Sequence, residues 1–226
     1  MVGRLTIVRA LLCVLLVALA LGRPGLVLAA EPPAILLAET YSGQVDVSRY
    51  LASEKFDGVR AVWDGRVMRF RSGNPVNAPQ WFIDGLPKVP LDGELWLGRG
   101  RFEQLSGIVR KEVPIDAEWG EVRYMIFELP GAPGSFAERA AAIRTIVRSA
   151  GVPWLREIPQ FRVVDLADLE RRLDEVLKAG GEGLMLHLAD APYTTGRSDV
   201  LLKVKAWHDA EALVVAHRPG QGKFAG

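Results

Sequence analysis

The sequence predicts a mixed α+β domain in which the strands pair mainly in an antiparallel manner and helices flank the sheets. Three observations predict this class: a turn dipeptide joins two short β-type runs, further β-type runs recur along the chain, and only two segments are strongly helical. The 226 residues include 49% hydrophobic and 24% charged residues with a net charge of +1, which excludes a disordered chain. The 23 glycines follow no period and there is one cysteine, which excludes collagen-like and disulfide-stabilised scaffolds.

Residues 1–30 have the pattern of a secretory signal peptide. Two arginines precede an apolar run at 10–21, and small residues end at Ala29 and Ala30 before a polar start. Because the run is shorter than the ~20 residues of a membrane-spanning helix, we predict cleavage after Ala29 or Ala30 rather than a membrane anchor. Cleavage would remove Cys13 and release a periplasmic protein with no stable membrane association.

Removal of this leader changes the charge balance. The leader holds three of the 28 basic residues and none of the 27 acidic ones, so the remainder carries 25 bases against 27 acids, a net charge of −2. The net charge alone therefore does not indicate binding to nucleic acid.

The strand predictions start from a hairpin. Val59–Trp63 and Val67–Arg71 flank Asp64-Gly65, a dipeptide typical of a tight primed turn. The other predicted strands are Leu91–Leu97, Val122–Leu129, Phe161–Leu166, Gly183–Leu188, Val200–Trp207 and Ala212–His217. Because these runs do not alternate regularly with helices, they favour a mainly antiparallel sheet over a doubly wound parallel one.

Two helices are predicted from their periodicity and their end signals. One runs from about Phe136 to Ser149 and ends at Gly151. The other runs from about Ala167 to Lys178, after Asp165 as the capping residue and before a Gly-Gly pair.

The most informative motif is K-x-D-G-x-R, from Lys55 to Arg60. At average residue frequencies, chance gives these four fixed positions about once in four hundred chains of this length. The alternative is an exposed lysine beside a hairpin, since a lysine just before a turn glycine and a strand is usually a solvated surface charge. The weight of the motif comes from five further motifs that follow in order: Phe70-Arg71-Ser72-Gly73, Leu91-Asp92-Gly93-Glu94-Leu95, Ile126-Phe127-Glu128, Glu182-Gly183-Leu184-Met185 and Leu202-Lys203-Val204-Lys205.

This series resembles the covalent nucleotidyltransferase superfamily, which comprises ATP-dependent DNA ligases, RNA ligases and mRNA capping enzymes. The resemblance covers about residues 38–226 and, with the leader, is greatest to small bacterial ATP-dependent DNA ligases that are exported to the periplasm. It implies an adenylation domain over residues 31–206. It also implies the first strand and turn of an OB-fold domain over residues 207–226, since a five-stranded barrel would need several times that length.

The resemblance implies a monomeric enzyme that seals nicks in double-stranded DNA with ATP and Mg²⁺, or another divalent cation. Lys55 would take AMP from ATP and transfer it to the DNA 5′-phosphate. The 3′-hydroxyl would then displace the AMP. A lysine with a pKa of ~10.4 is only about 1 in 2,500 deprotonated at pH 7, so the nucleophile needs activation. We expect Arg60, Lys203 and Lys205 to lower its pKa and to neutralise the phosphates.

The remaining nucleotide contacts are also implied by the resemblance. Ser53 would touch the adenine edge, and Phe127 would stack on the base, although a core aromatic is the alternative. Arg60 and Arg71 would contact phosphate and sugar. Glu94 would accept hydrogen bonds from the ribose hydroxyls, for which a carboxylate is well suited.

Glu182 would bind the divalent cation, since a carboxylate is a hard oxygen ligand that suits magnesium. The alternative is an acidic residue that merely follows a helix. The order of the motifs favours the metal ligand.

A basic segment at residues 98–111 is the predicted DNA contact. Arg99, Arg101, Arg110 and Lys111 lie there with a single acid, and cations in this number suit the phosphate backbone. A solvated helix face is the alternative.

Two other functions stay open from the sequence. The basic C-terminal motif that orients the leaving pyrophosphate in this family does not occur here, so we expect the full-length protein to seal nicks and the 226-residue chain to self-adenylylate weakly at most. A catalytically inactive nucleotide- or DNA-binding remnant is one alternative, and an RNA ligase or capping-type enzyme is the other. Hydrolase triads, Walker loops and zinc-ligand spacings do not occur in the sequence.

Overall fold

The computed structural model describes residues 31–43 and 45–205. The predicted leader, the predicted strand Ala212–His217 and the predicted start of an OB-fold domain lie outside the described residues. Within them, ten strands form two five-stranded sheets, accompanied by five α-helices and a short 3-10 helix. Over the same residues, no helix is both long enough and apolar enough to cross a membrane.

The first sheet joins strands from both ends of the described chain. In spatial order it contains β1 (Leu36–Thr40), β10 (Gly196–Val204), β9 (Leu184–Leu188), β2 (Tyr50–Glu54) and β8 (Phe161–Arg162). β1 runs parallel to β10, and the other neighbours are antiparallel.

The second sheet contains the predicted hairpin. Its spatial order is β4 (Met68–Phe70), β3 (Val59–Trp63), β5 (Leu91–Trp96), β6 (Arg123–Glu128) and β7 (Leu155–Glu157). Only the β6–β7 pair is parallel among these neighbours. The mainly antiparallel α+β class predicted from the sequence is therefore confirmed.

The helices are α1 (Gln80–Asp84), α2 (Phe102–Val109), α3 (Asp116–Trp119), α4 (Phe136–Ala150) and α5 (Leu166–Lys178), and the 3-10 helix is Val47–Arg49. The two predicted helices, α4 and α5, are confirmed. α4 starts at a capping box in which Ser135 and Glu138 bond reciprocally, and it ends at Gly151 with a left-handed φ of 66°. α5 starts where the Asp165 side chain accepts a hydrogen bond from the Asp168 backbone.

Each sheet has its own hydrophobic core. The larger core lies against the second sheet and includes Phe82, Trp119 and Trp154, whereas the smaller core packs Leu169 against the first sheet. The chain leaves the first sheet at the end of β2 and enters the second at β3, so residues 55–58 cross from one sheet to the other. This crossing places the K-x-D-G-x-R motif where the two sheets meet.

Two strand predictions need correction. The prediction Phe161–Leu166 is wrong beyond Arg162, because Asp165 caps α5 instead of continuing the strand. β10 starts earlier than predicted, at Gly196, because it also pairs with β1, a strand that the sequence reading missed.

Candidate active site

A cavity of about 290 Å³ lies between the two sheets. The first sheet contributes side chains from β1, β2, β9 and β10, and the second contributes side chains from β3, β5 and β6. The cavity lining includes seven of the residues predicted to bind the nucleotide: Ser53, Lys55, Arg60, Arg71, Glu94, Phe127 and Lys203. Segments that are up to 150 residues apart in the sequence (Ser53 to Lys203) thus converge on one cavity.

The wall from the first sheet follows directly from strand register. Ser53 of β2 is paired with Met185 of β9, and Met185 is paired with Lys203 of β10. Directly paired residues share one face of a sheet, so these three side chains form a row along the cavity. Lys55 lies two residues beyond Ser53 in the chain and therefore continues the same face.

Two glycines hold the Lys55 segment in place by allowing backbones to approach closely. A Cβ added at Gly58 would lie 2.3 Å from the Leu95 carbonyl oxygen. Gly183 has φ of +151°, and a Cβ there would lie 2.3 Å from the Val204 carbonyl oxygen. The Lys55 backbone N–H donates to the Gly183 carbonyl at 2.9 Å, which joins the Lys55 motif to the Glu182 motif. Glycine is therefore required in both motifs because a side chain would clash with a neighbouring backbone, and not only because glycine favours turns.

A carboxylate is the charged group in contact with Lys55. The Lys55 ammonium donates to Glu182 Oε2, and the Lys205 ammonium donates to Glu182 Oε1. Burial alone would raise the pKa of Glu182, but the hydrogen bonds from Lys205 and Lys55 outweigh it and lower the pKa. The sequence reading expected cations around Lys55, whereas the structure places an anion shared by two lysines there.

Arg60 is fixed by a buried carboxylate. It donates to both oxygens of Asp92, at 3.0 and 2.6 Å, and to the Leu36 carbonyl at 2.8 Å. Burial would lower the pKa of Arg60, but the Asp92 hydrogen bonds raise it, so the guanidinium stays charged. Its Cζ lies 5.2 Å from the centre of the Phe127 ring, which orients both groups at the cavity.

Glu94 lies opposite Arg60 on the neighbouring strand. Burial raises the pKa of Glu94 to about 8, although Arg60 and Lys55 partly offset the shift. The carboxyl group is therefore largely protonated near pH 7 and can both donate and accept a hydrogen bond.

Part of the cavity lining is apolar. Phe136 and Met185 belong to it, and the His187 ring, which also lines the cavity, stacks on Phe136 with the ring centres 3.5 Å apart. Burial, helped by nearby Arg139, lowers the pKa of His187 to about 3, so this ring is neutral. The sequence reading missed these lining residues. The period-2 alternation of β9, which puts Met185 and His187 on the face of Lys203, could have found two of them.

A buried ion pair between Glu128 and Arg139 lies next to Phe136 of the cavity lining. Arg139 of α4 donates to both oxygens of Glu128 at 2.7 and 2.8 Å, and both side chains are at most 2% exposed. Arg139 also donates to the backbone carbonyls of Gly134 and Ala191. The pair therefore connects β6, α4 and the loop after β9.

Most of the predicted DNA-contacting cations have acidic partners. Arg99 binds both oxygens of Glu54 at 2.8 Å. Arg101 pairs with Glu121 at 2.7 Å, and Lys111 pairs with Glu118 at 2.5 Å. Tertiary structure thus supplies acids that the local sequence did not show.

Arg110 differs from these three cations. It is exposed on the wall of a second cavity, which lies next to the first.

A divalent cation fits this site as a partner of the phosphates. In residues 31–43 and 45–205, no three His, Cys, Asp or Glu side chains form a group that could hold a metal ion by themselves. Glu182 offers one partly exposed carboxylate next to Lys55. Mg²⁺ is commonly bound by one or two carboxylates together with substrate phosphates, so the residues present suit it.

Comparison with known proteins agrees with this architecture, although no protein-family model matches the chain. A DNA ligase of Haemophilus influenzae is 33% identical over 190 residues, which cover 84% of this chain and 70% of that protein. The chain spans 38–43% of the length of the other curated DNA ligases that it matches.

Two solved structures extend the comparison. A structure from a study of Lig E DNA ligases, concerned with DNA binding by a minimal scaffold, is 41% identical, with a TM-score of 0.78 over 85% of this chain and 76% of that one. The Chlorella virus DNA ligase-adenylate is 23% identical and shares the fold, with a TM-score of 0.66 over 79% of this chain and 71% of that one.

The fold is that of a nucleotidyltransferase domain: two sheets enclose a cavity, and a lysine lies where the chain crosses from one sheet to the other. The chain belongs to the ATP-dependent DNA ligases.

Proposed function

We propose that the ligase to which this chain belongs seals nicks in double-stranded DNA through a lysyl-AMP intermediate on Lys55. One observation carries the proposal: residues from six separate motifs line a single cavity between the sheets or belong to the ion-pair cluster of Lys55 at its wall. A buried or surface lysine with a structural role would not need this convergence of cations, carboxylates and aromatic rings.

The first step forms a phosphoramidate bond. After losing a proton to solvent, the Lys55 amine attacks the α-phosphorus of ATP, the bond from that phosphorus to the bridging oxygen breaks, and pyrophosphate leaves. Arg60, held by Asp92, and Lys203 on the opposite wall would neutralise the phosphate oxygens. Phe127 would stack on the base, and Glu94 would bond the ribose hydroxyls; both line the cavity.

Glu182 would bind a divalent cation together with phosphate oxygens. Such a cation supplies positive charge that stabilises the phosphates in the transition state. The Glu182 carboxylate is also the acidic partner of both Lys55 and Lys205, so it holds these two ammonium groups beside the cavity.

The later steps use the same cavity. An oxygen of the DNA 5′-phosphate attacks the AMP phosphorus, the N–P bond breaks, and the nitrogen of Lys55 regains a proton. The 3′-hydroxyl then attacks the DNA phosphorus, loses its proton and displaces AMP. Nicked duplex DNA and ATP are the partners, and we propose a monomer.

Labelling with α-³²P-ATP and Mg²⁺ tests the proposal. We expect a protein-bound label on wild type that Lys55→Ala loses. The control is Lys178→Ala, since Lys178 is an exposed lysine whose side chain pairs with Asp174 on α5, and this variant keeps the label. A label on Lys55→Ala, or none on wild type, would overturn the proposal, and labelling by GTP in place of ATP would favour a capping-type enzyme.

We also propose export to the periplasm, supported by the basic, apolar and small-residue segments of residues 1–30. Fractionation of cells that express the protein tests it. We expect a shortened form in the periplasmic fraction. Full-length protein confined to the cytoplasm would contradict export.

A further inference from the structure

A third cavity of about 250 Å³ lies beside Lys55. Glu54 and Lys55 line both this cavity and the nucleotide cavity, so these two residues lie between the two cavities. Most of the remaining wall comes from the segment that starts at Trp96, the end of β5, and from the turn between α5 and β9 that ends at Glu182. The two segments that carry the Lys55–Glu182 ion pair therefore meet a loop of the second sheet here.

Arg99 joins these segments through a single guanidinium group. Its Nε and Nη2 donate to the two oxygens of Glu54, both at 2.8 Å, and its Nη1 donates to the Ala179 carbonyl at 2.9 Å. Glu54 directly precedes Lys55, and Ala179 lies three residues before Glu182. The planar fork of an arginine holds two such partners in a fixed relative position. Arg99 thus fixes the start of the Lys55 segment relative to the start of the Glu182 segment.

Neighbouring packing holds the same segments together. The Phe56 ring, which follows Lys55 in the chain, packs edge-on against Trp96 with the ring centres 4.7 Å apart. A Cβ added at Gly181 would lie 3.0 Å from Glu54 Oε1, so this carboxylate packs tightly against the turn after α5. Both chain neighbours of Lys55 are therefore held by side chains at or just after the end of β5.

The Arg99–Glu54 pair contributes little to the stability of the fold. The two side chains are 37% and 21% exposed, and ion pairs with this access to solvent add little to the free energy of unfolding. Its place next to Lys55 points instead to an effect on the reaction. Attack of an amine on phosphorus needs the reacting atoms to be close and aligned, so a small displacement of Lys55 slows it strongly.

We propose that Arg99 is a positioning residue for the transfer of AMP to Lys55. By holding Glu54 and the Ala179 carbonyl together, it keeps the Lys55 amine where it can reach the α-phosphorus of ATP. In the described part of the chain, the residues that line the nucleotide cavity do not include Arg99, so it acts through the two segments and not by contact with ATP. The inference rests on the proposed function of Lys55 and gives Arg99 a role that does not require DNA.

Single-turnover labelling with α-³²P-ATP and Mg²⁺ over a range of ATP concentrations tests the inference. We expect Arg99→Gln to lower the maximal rate constant about 10- to 100-fold, because the amine is displaced from its line of attack. The ATP concentration at half-maximal rate and the final amount of label should stay at the wild-type values, since ATP binding and the folded fraction do not depend on Arg99. Arg99→Lys keeps the charge but cannot bridge both partners, so it should recover only part of the rate.

Arg171→Gln is the matched control. Arg171 is also an exposed arginine that bonds two partners, Asp168 and Glu175, but both lie with it on α5. This variant should label at the wild-type rate. Glu54→Gln should also slow labelling, and Glu54→Gln/Arg99→Gln should be little slower than Arg99→Gln, because residues that act as one unit do not add their effects.

The measured quantities separate this inference from the function on which it rests. A wild-type rate constant in Arg99→Gln would overturn the inference, and so would full recovery of the rate by Arg99→Lys or multiplicative losses in the double variant. Less label at an unchanged rate constant would also overturn it, because this result would show a role in folding alone. Absence of label on wild type would instead reject the proposed function itself.

Discussion

The buried pair between Glu128 and Arg139 gives the strongest stability prediction. Glu128→Leu leaves the Arg139 guanidinium, which is 1% exposed, without its counter-charge. Removal of one partner of a buried pair costs about 3–5 kcal/mol, because the remaining charge cannot be solvated. For a domain of this size, 1 kcal/mol corresponds to about 2–4 °C, so the melting temperature should fall by roughly 6–20 °C.

Urea and thermal unfolding measure this loss. The double variant Glu128→Leu/Arg139→Met should recover most of it, because it removes both charges and keeps apolar volume. Asp190→Asn is the control, since the Arg49–Asp190 pair is exposed and 3.5 Å apart, and it should change stability by less than about 0.5 kcal/mol. A loss below about 1 kcal/mol in Glu128→Leu, or a double variant as unstable as the single one, would refute this reasoning.

Two further predictions concern the cavity and its approach. The pKa of Glu94 is raised to about 8 in the fold, so Glu94 binds more protons in the folded state than in the unfolded state, and its contribution to stability should fall as pH rises from about 4.5 to about 8. Unfolding at several pH values should show that Glu94→Gln lacks this fall; matching pH profiles would contradict it. Gly58→Ala should lower the free energy of unfolding by about 1–3 kcal/mol and reduce labelling, because the added Cβ would clash with the Leu95 carbonyl. The control is Gly107→Ala in α2, where the added Cβ has free space, and it should raise the free energy of unfolding by about 0.5–1 kcal/mol. Equal unfolding energies for the two alanine variants would disprove this steric explanation.

Local chemistry explains which elements could be predicted from the sequence. Asp64-Gly65 marks its hairpin because the turn conformation selects those residues, and Ser135 and Asp165 mark helix starts because they satisfy free backbone N–H groups. β1 and β7 lack such signals. They exist because distant strands supply their hydrogen bonds, which no local pattern encodes.

The same distinction applies to the site. The motif residues could be selected from their order, and the structure places Lys55, Glu182 and Lys205 in contact. Their roles stay predictions. The acids that pair with Arg99 and Arg101 could not be predicted, because Glu54 and Glu121 reach them only through the tertiary fold.

The central claim is that the Lys55 amine becomes covalently bonded to AMP. Peptide mapping by mass spectrometry after incubation with ATP and Mg²⁺ tests it most directly. We expect one AMP on the peptide that contains Lys55, and we expect added pyrophosphate to remove it as the first step reverses. AMP attached to any other residue, with the Lys55 peptide unmodified, would show that Lys55 is not the nucleophile.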